Sequence, residues 1–322
     1  MDIILDLLIL GGGIIAAVAG ANILVDGASS IAARLRVSSL VIGMTVVAFG
    51  TSMPEFAVNI FSSVHHNTDL AIGNILGSNI FNIFVILGIV ALIRPLPVDR
   101  LTVSRDIPMN LLAAVLLGIC GNTMFFDGLS RSALMPSDGL VFIALFGIFL
   151  YYTFYHLDRS EIAVEAQPKK MPLPRAVFFI LAGLAALVGG GELIVRGAGS
   201  MAGAAGLSDH AIGLFIVGPG TSIPELLTSV IAVRKGRVGL AVGNVVGSNI
   251  FNIFFILGLS AVIYPLPLSE GMNISVLTNI LASLLLLIFS YIAVIRKLTR
   301  IKGGIFLALY VIYMLFMLTG NL

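Results

Sequence analysis

Ten stretches of mostly apolar residues, each long enough to cross a bilayer as a helix, run through this 322-residue chain. A transmembrane helix needs about 20 such residues. Cutting at the charged and Pro/Gly-rich punctuation places the stretches at 3–28, 38–63, 70–93, 106–126, 137–157, 175–198, 210–233, 238–263, 273–295 and 303–319. In hydrocarbon every backbone N–H and C=O must be satisfied within the protein, so stretches of this kind fold as helices. Only 11% of the residues are charged and 58% are hydrophobic, whereas a soluble domain carries about 25% charged residues. A soluble fold of this size has too little interior for so much apolar surface. The expected fold is therefore an all-α membrane protein with ten transmembrane helices. Soluble enzymes, nucleic-acid binders and disordered chains are excluded, and the lipid bilayer is the first implied partner. The first stretch carries acidic Asp2 and Asp6 and no basic flank, so we expect a retained span and not a cleaved signal peptide. The single cysteine, Cys120, lies in an apolar run, permits no intrachain disulfide and reads as a small buried hydrophobe.

Ten spans put alternate connectors on opposite sides. The odd-numbered connectors hold 16 of the 18 Lys and Arg residues, and only Arg131 and Arg196 lie elsewhere. Basic residues collect on the cytoplasmic side. The expectation is a multi-pass protein of the cell membrane with both termini extracytoplasmic. The longest polar connector, 158–174, contains Asp158, Arg159, Glu161, Glu165, Lys169 and Lys170; it is cytoplasmic on this reading and too short for a domain. His65 and His66 fall in an extracytoplasmic connector and read as solvated loop residues.

A shift of 170 residues lays one half of the chain on the other. Gly50-Thr51-Ser52-Met53-Pro54-Glu55 falls on Gly220-Thr221-Ser222-Ile223-Pro224-Glu225, and 19 of the 27 positions between 71 and 97 match their partners at 241–267. The Pro95-Leu96-Pro97 and Pro265-Leu266-Pro267 exits align, and Val25, Gly27 and Ala28 land on Val195, Gly197 and Ala198. The chain divides into a first five-helix repeat, 1–157, the connector 158–174 and a second five-helix repeat, 175–322. An odd number of spans per half gives the halves opposite orientations. Inverted repeats of this kind build many secondary transporters, with the site at the repeat interface near the midplane.

Glu55 and Glu225 sit midway along apolar spans, where an ionisable residue is costly and marks function. Pro54 and Pro224 precede them. A mid-helix proline lacks an N–H and pushes on the carbonyl four residues back, here Gly50 and Gly220. Such irregular backbone persists in a membrane only where protein or a water-filled cavity surrounds it. Each motif thus offers a carboxylate, a Thr hydroxyl, a Ser hydroxyl and exposed carbonyls. A ligand set made only of oxygens suits hard cations such as calcium and sodium, whereas softer metals favour imidazole or thiolate. Ser78 and Asn82 share a helix face, as do Ser248 and Asn252; Asn74 and Asn244 repeat the same pattern. Gly73 with Gly77, and Gly243 with Gly247, make small-xxx-small faces, which we expect to pack closely on other helices. Buried amides without a role would cost free energy, so Asn82 and Asn252 are read as functional.

At these residues the sequence resembles the calcium/cation antiporter superfamily and, within it, the prokaryotic sodium/calcium exchanger family. The resemblance spans essentially the whole chain, with a GTSxPE and a GSNxxN motif in each half. It implies that Glu55 and Glu225 are the central cation ligands. Thr51, Ser52, Thr221, Ser222, Ser78, Ser248, Asn82 and Asn252 would surround them, with backbone oxygen near Ala48 and Gly218. It also implies that the first and sixth helices slide as a gating pair past the other eight. Two departures stand out. Position 252 is Asn where some relatives, potassium-dependent ones included, carry Asp; one negative charge fewer argues against potassium co-transport. Gly218-Pro219-Gly220 replaces Ala48-Phe49-Gly50, so the extra proline should distort the second half further.

The leading expectation is secondary active exchange of calcium for sodium by alternating access, with both ions as cargo, no cofactor and no obligatory protein partner. The alternative is a divalent cation/proton exchanger; that branch resembles GNxxE at the acidic motif, where this chain has Thr-Ser before Pro-Glu. A passive channel fits less well, because two buried carboxylates should hold divalent ions too tightly for fast permeation. Enzymatic activity is not expected, since no nucleophile–base pair accompanies the carboxylates.

Overall fold

A computed structural model describes residues 3–98, 100, 102–127, 132–155, 171–204, 216, 218–269, 271–291 and 297–318. The described residues are almost wholly helical. In chain order the main helices are α1 (Ile3–Leu35), α2 (Ser39–Thr51), α3 (Met53–Val64), α4 (Thr68–Ile93), α5 (Thr102–Gly121) and α6 (Pro136–Tyr155). They continue with α7 (Leu173–Ala204), α8 (Ile223–Arg234), α9 (Val238–Ile263), α10 (Met272–Tyr291) and α11 (Arg300–Leu318). Among these residues eight helices are long and apolar enough to cross a membrane, and nine crossings result if the bent pair α2–α3 counts as one. The expected span 210–233 begins in residues outside the described set, as does most of the connector 158–174. The first and sixth expected spans, now α1 and α7, exceed their expected bounds, 3–28 and 175–198, because nothing in their polar ends breaks a helix: α1 runs on through Ser29, Ser30 and Arg34.

Local chemistry sets several helix starts. Ser38 accepts the Val41 N–H at the start of α2, and Asn67 accepts the Leu70 N–H at the start of α4; a cap of this kind is worth about 1 kcal/mol. His66 (φ 59°) and its repeat partner Gly236 (φ 75°) make the same left-handed turn before α4 and α9. Glycine takes that conformation freely, and histidine is one of the few side chains enriched there.

Contacts divide the chain into two compact units, residues 1–54 with 158–244 and residues 55–157 with 245–322. Each draws on both halves of the sequence. The first unit is organised by α1 and α7, which run antiparallel with glycines meeting backbone. A Cβ added to Gly13, Gly20 or Gly27 would lie 2.8 Å from the carbonyl oxygens of Gly190, Gly183 and Ala176 respectively. These glycines are seven residues apart on α1, and of their partners by the 170 shift on α7, a Cβ on Gly183 or Gly190 would lie within 2.8 Å of backbone and one on Gly197 3.0 Å from the Asp6 carbonyl oxygen. In the same unit Gly43 approaches Leu240, and a Cβ on Gly243 would press on the Leu40 carbonyl.

The second unit is filled by aromatic side chains. Phe84, Phe142, Phe149, Phe254 and Phe306 are fully buried, with Phe142 edge-on to Phe254 at 5.7 Å and Phe84 against Phe306 at 5.8 Å. Two short antiparallel ladders tie its helix ends: β1 (Leu96–Pro97) pairs with β4 (Lys297–Leu298), and β2 (Ala133–Leu134) with β3 (Leu266–Pro267). The aligned Pro-Leu-Pro exits thus become the strands β1 and β3. The described residues show the expected close packing at Gly243; at Gly73 and Gly77 an added Cβ would meet nothing within 4 Å among them. Small-residue spacing marks a common face, but whether a helix lies against that face depends on the partner.

Candidate functional site

The two acidic motifs fold alike. In the first half α2 ends at Thr51 and α3 starts at Met53, with a 48° bend at Ser52 (φ −83°, ψ 11°). In the second, a helical turn at Gly218–Gly220 precedes α8, and Ser222 (φ −90°, ψ 7°) is its N-cap. Each break creates a new helix N-terminus, with Glu55 in the first turn of α3 and Glu225 in that of α8. The positive end of the helix dipole favours a carboxylate there. Ser-x-x-Glu is also capping-box spacing, yet Ser222 makes no side-chain cap bond. Ser52 instead turns its hydroxyl to Glu225.

In the first unit the Ser52 hydroxyl donates to Glu225 Oε1 at 2.9 Å. Beside it the Thr51 hydroxyl lies 3.4 Å from the Ala48 carbonyl and donates to Asn244 Oδ1 at 3.1 Å. The Ala48 carbonyl, expected as a ligand, also accepts the Ser52 N–H at 3.0 Å. Asn244 Nδ2 bonds both the Glu225 carbonyl, at 3.3 Å, and the Ser229 hydroxyl, at 3.1 Å. Thr51, Ser52, Ser222, Glu225 and Asn244 are buried, Thr221 is half-buried, and Gly218 begins the turn before α8.

In the second unit Glu55 is fully buried, and its Oε1 accepts the Ser78 hydroxyl at 3.2 Å. The Glu55 carbonyl receives Asn59 Nδ2 at 3.0 Å and Asn74 Nδ2 at 3.4 Å. Asn82 and Asn252 stand where α4 and α9 widen into π-helical turns, Asn82–Leu87 and Phe251–Leu257. Such turns are rare and gather at functional sites. The amides of Asn82 and Asn252 are held by Asn249 and Asn79, the first asparagines of the two GSNxxN motifs, to which the sequence reading assigns no role. Among the described residues, Asn82 Oδ1, Asn252 Oδ1 and Ser248 Oγ are buried without a hydrogen-bond partner. An unsatisfied buried polar group costs about 1–3 kcal/mol, so these atoms are poised for a ligand that supplies positive charge or a proton.

Of the expected ligands, Thr51, Ser52 and Glu225 are thus assembled in one unit, and Glu55, Ser78, Ser248, Asn82 and Asn252 belong to the other. From the sequence alone Asn79 and Asn249 carry no assigned role, and Asn244 enters only as part of the repeated amide pattern with Asn74. Among the described residues no three His, Cys, Asp or Glu side chains gather as a metal cluster. The donors available for a cation are therefore mainly neutral oxygens around single carboxylates, a pattern suited to hard ions.

Comparison with known proteins agrees with this chemistry. The family described as sodium/calcium exchanger protein matches residues 5–155 and 175–319. The inner membrane protein YrbG of Escherichia coli K12 is 37% identical over 288 residues, covering 85% of this chain and 86% of its own. The sodium/calcium exchanger MaX1 of Methanosarcina acetivorans is 30% identical over 344 residues, covering 97% and 98%. Among solved structures, the sodium-calcium exchanger NCX_Mj soaked with 2.5 mM Na+ and 10 mM Sr2+ superposes with a TM-score of 0.83. It is 33% identical and covers 97% of this chain and 98% of that one.

Proposed function

Because the chain belongs to the sodium/calcium exchanger family, we propose that it is a secondary antiporter exchanging calcium for sodium across the cell membrane. The observation that carries this reading is the donor set. Two fully buried carboxylates each hold a serine hydroxyl, and among the described residues the buried oxygens Asn82 Oδ1, Asn252 Oδ1 and Ser248 Oγ are left without a partner. Glu55 and Glu225 are the central ligands on this reading, with Thr51, Ser52, Thr221, Ser222, Ser78, Ser248, Asn82 and Asn252 around them and backbone oxygen from Ala48 and Gly218. Calcium and sodium are cargo; the cycle makes and breaks no covalent bond and uses no cofactor.

The exchange follows from charge. Two carboxylates neutralise one calcium ion, whereas sodium ions, each with a single charge, can spread onto hydroxyl, amide and carbonyl positions. One set of ligands therefore holds either calcium or several sodium ions, and each cargo displaces the other. When more than two sodium ions replace one calcium, the cycle moves net charge and couples to the membrane potential at about 2.3 kcal/mol per charge per 100 mV.

We take the architecture as ten helices in two inverted five-helix repeats, 1–157 and 175–322 about a cytoplasmic connector at 158–174, with both termini extracytoplasmic. The gap-free 170 shift and the placement of 16 of 18 basic residues support this arrangement. The test is uptake of radiolabelled calcium into proteoliposomes. An imposed sodium gradient should drive uptake, and a pH gradient without sodium should not. Sodium-independent uptake that follows the pH gradient would establish proton exchange instead, and uptake needing no counter-ion would indicate a channel.

A further inference from the structure

Four asparagines of the second unit form a hydrogen-bonded chain, with a reciprocal Asn79–Asn249 pair at its centre and Asn252 and Asn82 at its ends, in which every amide orientation is forced. Asn79 Nδ2 donates to the backbone carbonyl of Asn249 at 3.2 Å, and Asn249 Nδ2 donates to that of Asn79 at 3.3 Å. Asn252 Nδ2 donates to Asn79 Oδ1 and Asn82 Nδ2 to Asn249 Oδ1, both at 3.0 Å. All four side chains are buried. The two ends of an amide look alike, and their assignment ordinarily rests on the surrounding network. Here the network starts from atoms of fixed character. A backbone carbonyl only accepts, so Asn79 must present its NH2 to Asn249 and its oxygen to Asn252. Asn252 must then meet that oxygen with its own NH2. The same sequence of constraints runs from Asn249 to Asn82.

We infer that Asn79 and Asn249 are positioning residues that turn the carbonyl oxygens, and not the NH2 groups, of Asn252 and Asn82 toward the transported cation. The inference rests on the reading above that Asn82 and Asn252 are ligands. It explains why Asn82 Oδ1 and Asn252 Oδ1 are the ends left without a partner. An amide free to rotate would point its NH2 group at the cation in one of its two orientations, which repels the ion. Locking the amides beforehand removes the cost of sorting them at each turnover. The pairing crosses the repeats: the first half's Asn79 orients the second half's Asn252, and the second half's Asn249 orients the first half's Asn82. Each neutral ligand is thus set by the opposite half of the sequence.

Crossed pairing gives a signature that general destabilisation lacks. Removing the Asn79 side chain leaves the backbone carbonyl that holds Asn249, so Asn82 stays oriented while Asn252 is released. The test is the calcium concentration for half-maximal sodium-driven uptake in proteoliposomes, measured for alanine variants at 79, 82, 249 and 252 and for their double variants. Asn79→Ala and Asn249→Ala should each raise it about five- to tenfold, the loss of roughly one hydrogen bond's worth of positioning. Adding Asn79→Ala to Asn252→Ala, or Asn249→Ala to Asn82→Ala, should cost less than about twofold more, because each positioning residue acts only through its partner. The pairs 79 with 82 and 249 with 252 should multiply their effects. Equal coupling in all four pairs, or none in any, overturns the inference. If Asn82→Ala and Asn252→Ala leave half-saturation unchanged, it is the ligand reading that fails. Each cycle decides by itself, and serine replaces alanine wherever an alanine variant is not monodisperse in detergent.

Discussion

Neighbouring glycines on α1 and α7 should respond in opposite directions to the same substitution. A Cβ on Gly13 would lie 2.8 Å from the Gly190 carbonyl oxygen and 2.9 Å from Ile194 N, whereas one on Gly12 would meet nothing within 4 Å. On α7 the contrast recurs: a Cβ on Gly190 would lie 2.6 Å from Ala17 N and 2.7 Å from the Gly13 carbonyl oxygen, and one on Gly189 would be in open space. Ordinary contact begins at 3.4 Å. The atoms met are backbone, which cannot swing aside, so the helices themselves must part by about half an ångström and lose dispersion contact along their length. Overpacking of this kind costs about 1–3 kcal/mol. Alanine also gains about 1 kcal/mol over glycine in helix propensity, but that gain is common to both neighbours and cancels in their difference. Gly12→Ala and Gly189→Ala should therefore match or exceed the parent in thermal midpoint, read as the monodisperse fraction after heating in detergent. Gly13→Ala and Gly190→Ala should fall below it. The double variant at 13 and 190 should cost less than the two singles together, since one parting of the helices accommodates both methyl groups. Four indistinguishable midpoints would refute the close approach.

Two other outcomes follow from the charges. Glu55→Gln and Glu225→Gln keep the shape of the side chain and remove its charge, so each should abolish calcium uptake while leaving the protein monodisperse; substantial transport by either would remove that residue from the site. In a Cys120→Ala background, a cysteine at position 2 should react with an impermeant reagent from outside intact cells and one at position 169 should not. The reverse pattern would invert the topology.

The carboxylates could be read directly from the sequence, because Glu55 and Glu225 recur at one offset in spans where an acid is costly. Ser78 and Asn82 were found by helix-face spacing, which is a local property. Asn79 and Asn249 were equally visible in the repeat, but each sits one residue along from Ser78 or Ser248, about 100° around the helix. Their role depends on a helix far away in the sequence. The π-helical turns at Asn82 and Phe251 add a single residue to one turn, too small a change to alter apolar periodicity over a span. The glycines mark the same limit from the other side. Gly73 and Gly77 have the spacing of a close contact and make none among the described residues, whereas the seven-residue series Gly13, Gly20 and Gly27 makes one and carries no local motif. Spacing identifies a face, and only tertiary structure supplies its neighbour.

The glycine contacts between α1 and α7 also have a mechanical side. They extend from Gly197 against Asp6 at one end to Gly27 against Ala176 at the other, a length of about 30 Å along the helix axis and so comparable to the hydrocarbon thickness. With backbone seated on backbone throughout, the two helices form a single beam that does not hinge at its centre. Pushing on one end of such a beam displaces the other end in the same stroke. On the reading, implied by the family resemblance, that these two helices slide as the gating pair, the mutual exclusion of the two entrances becomes a property of the beam's stiffness.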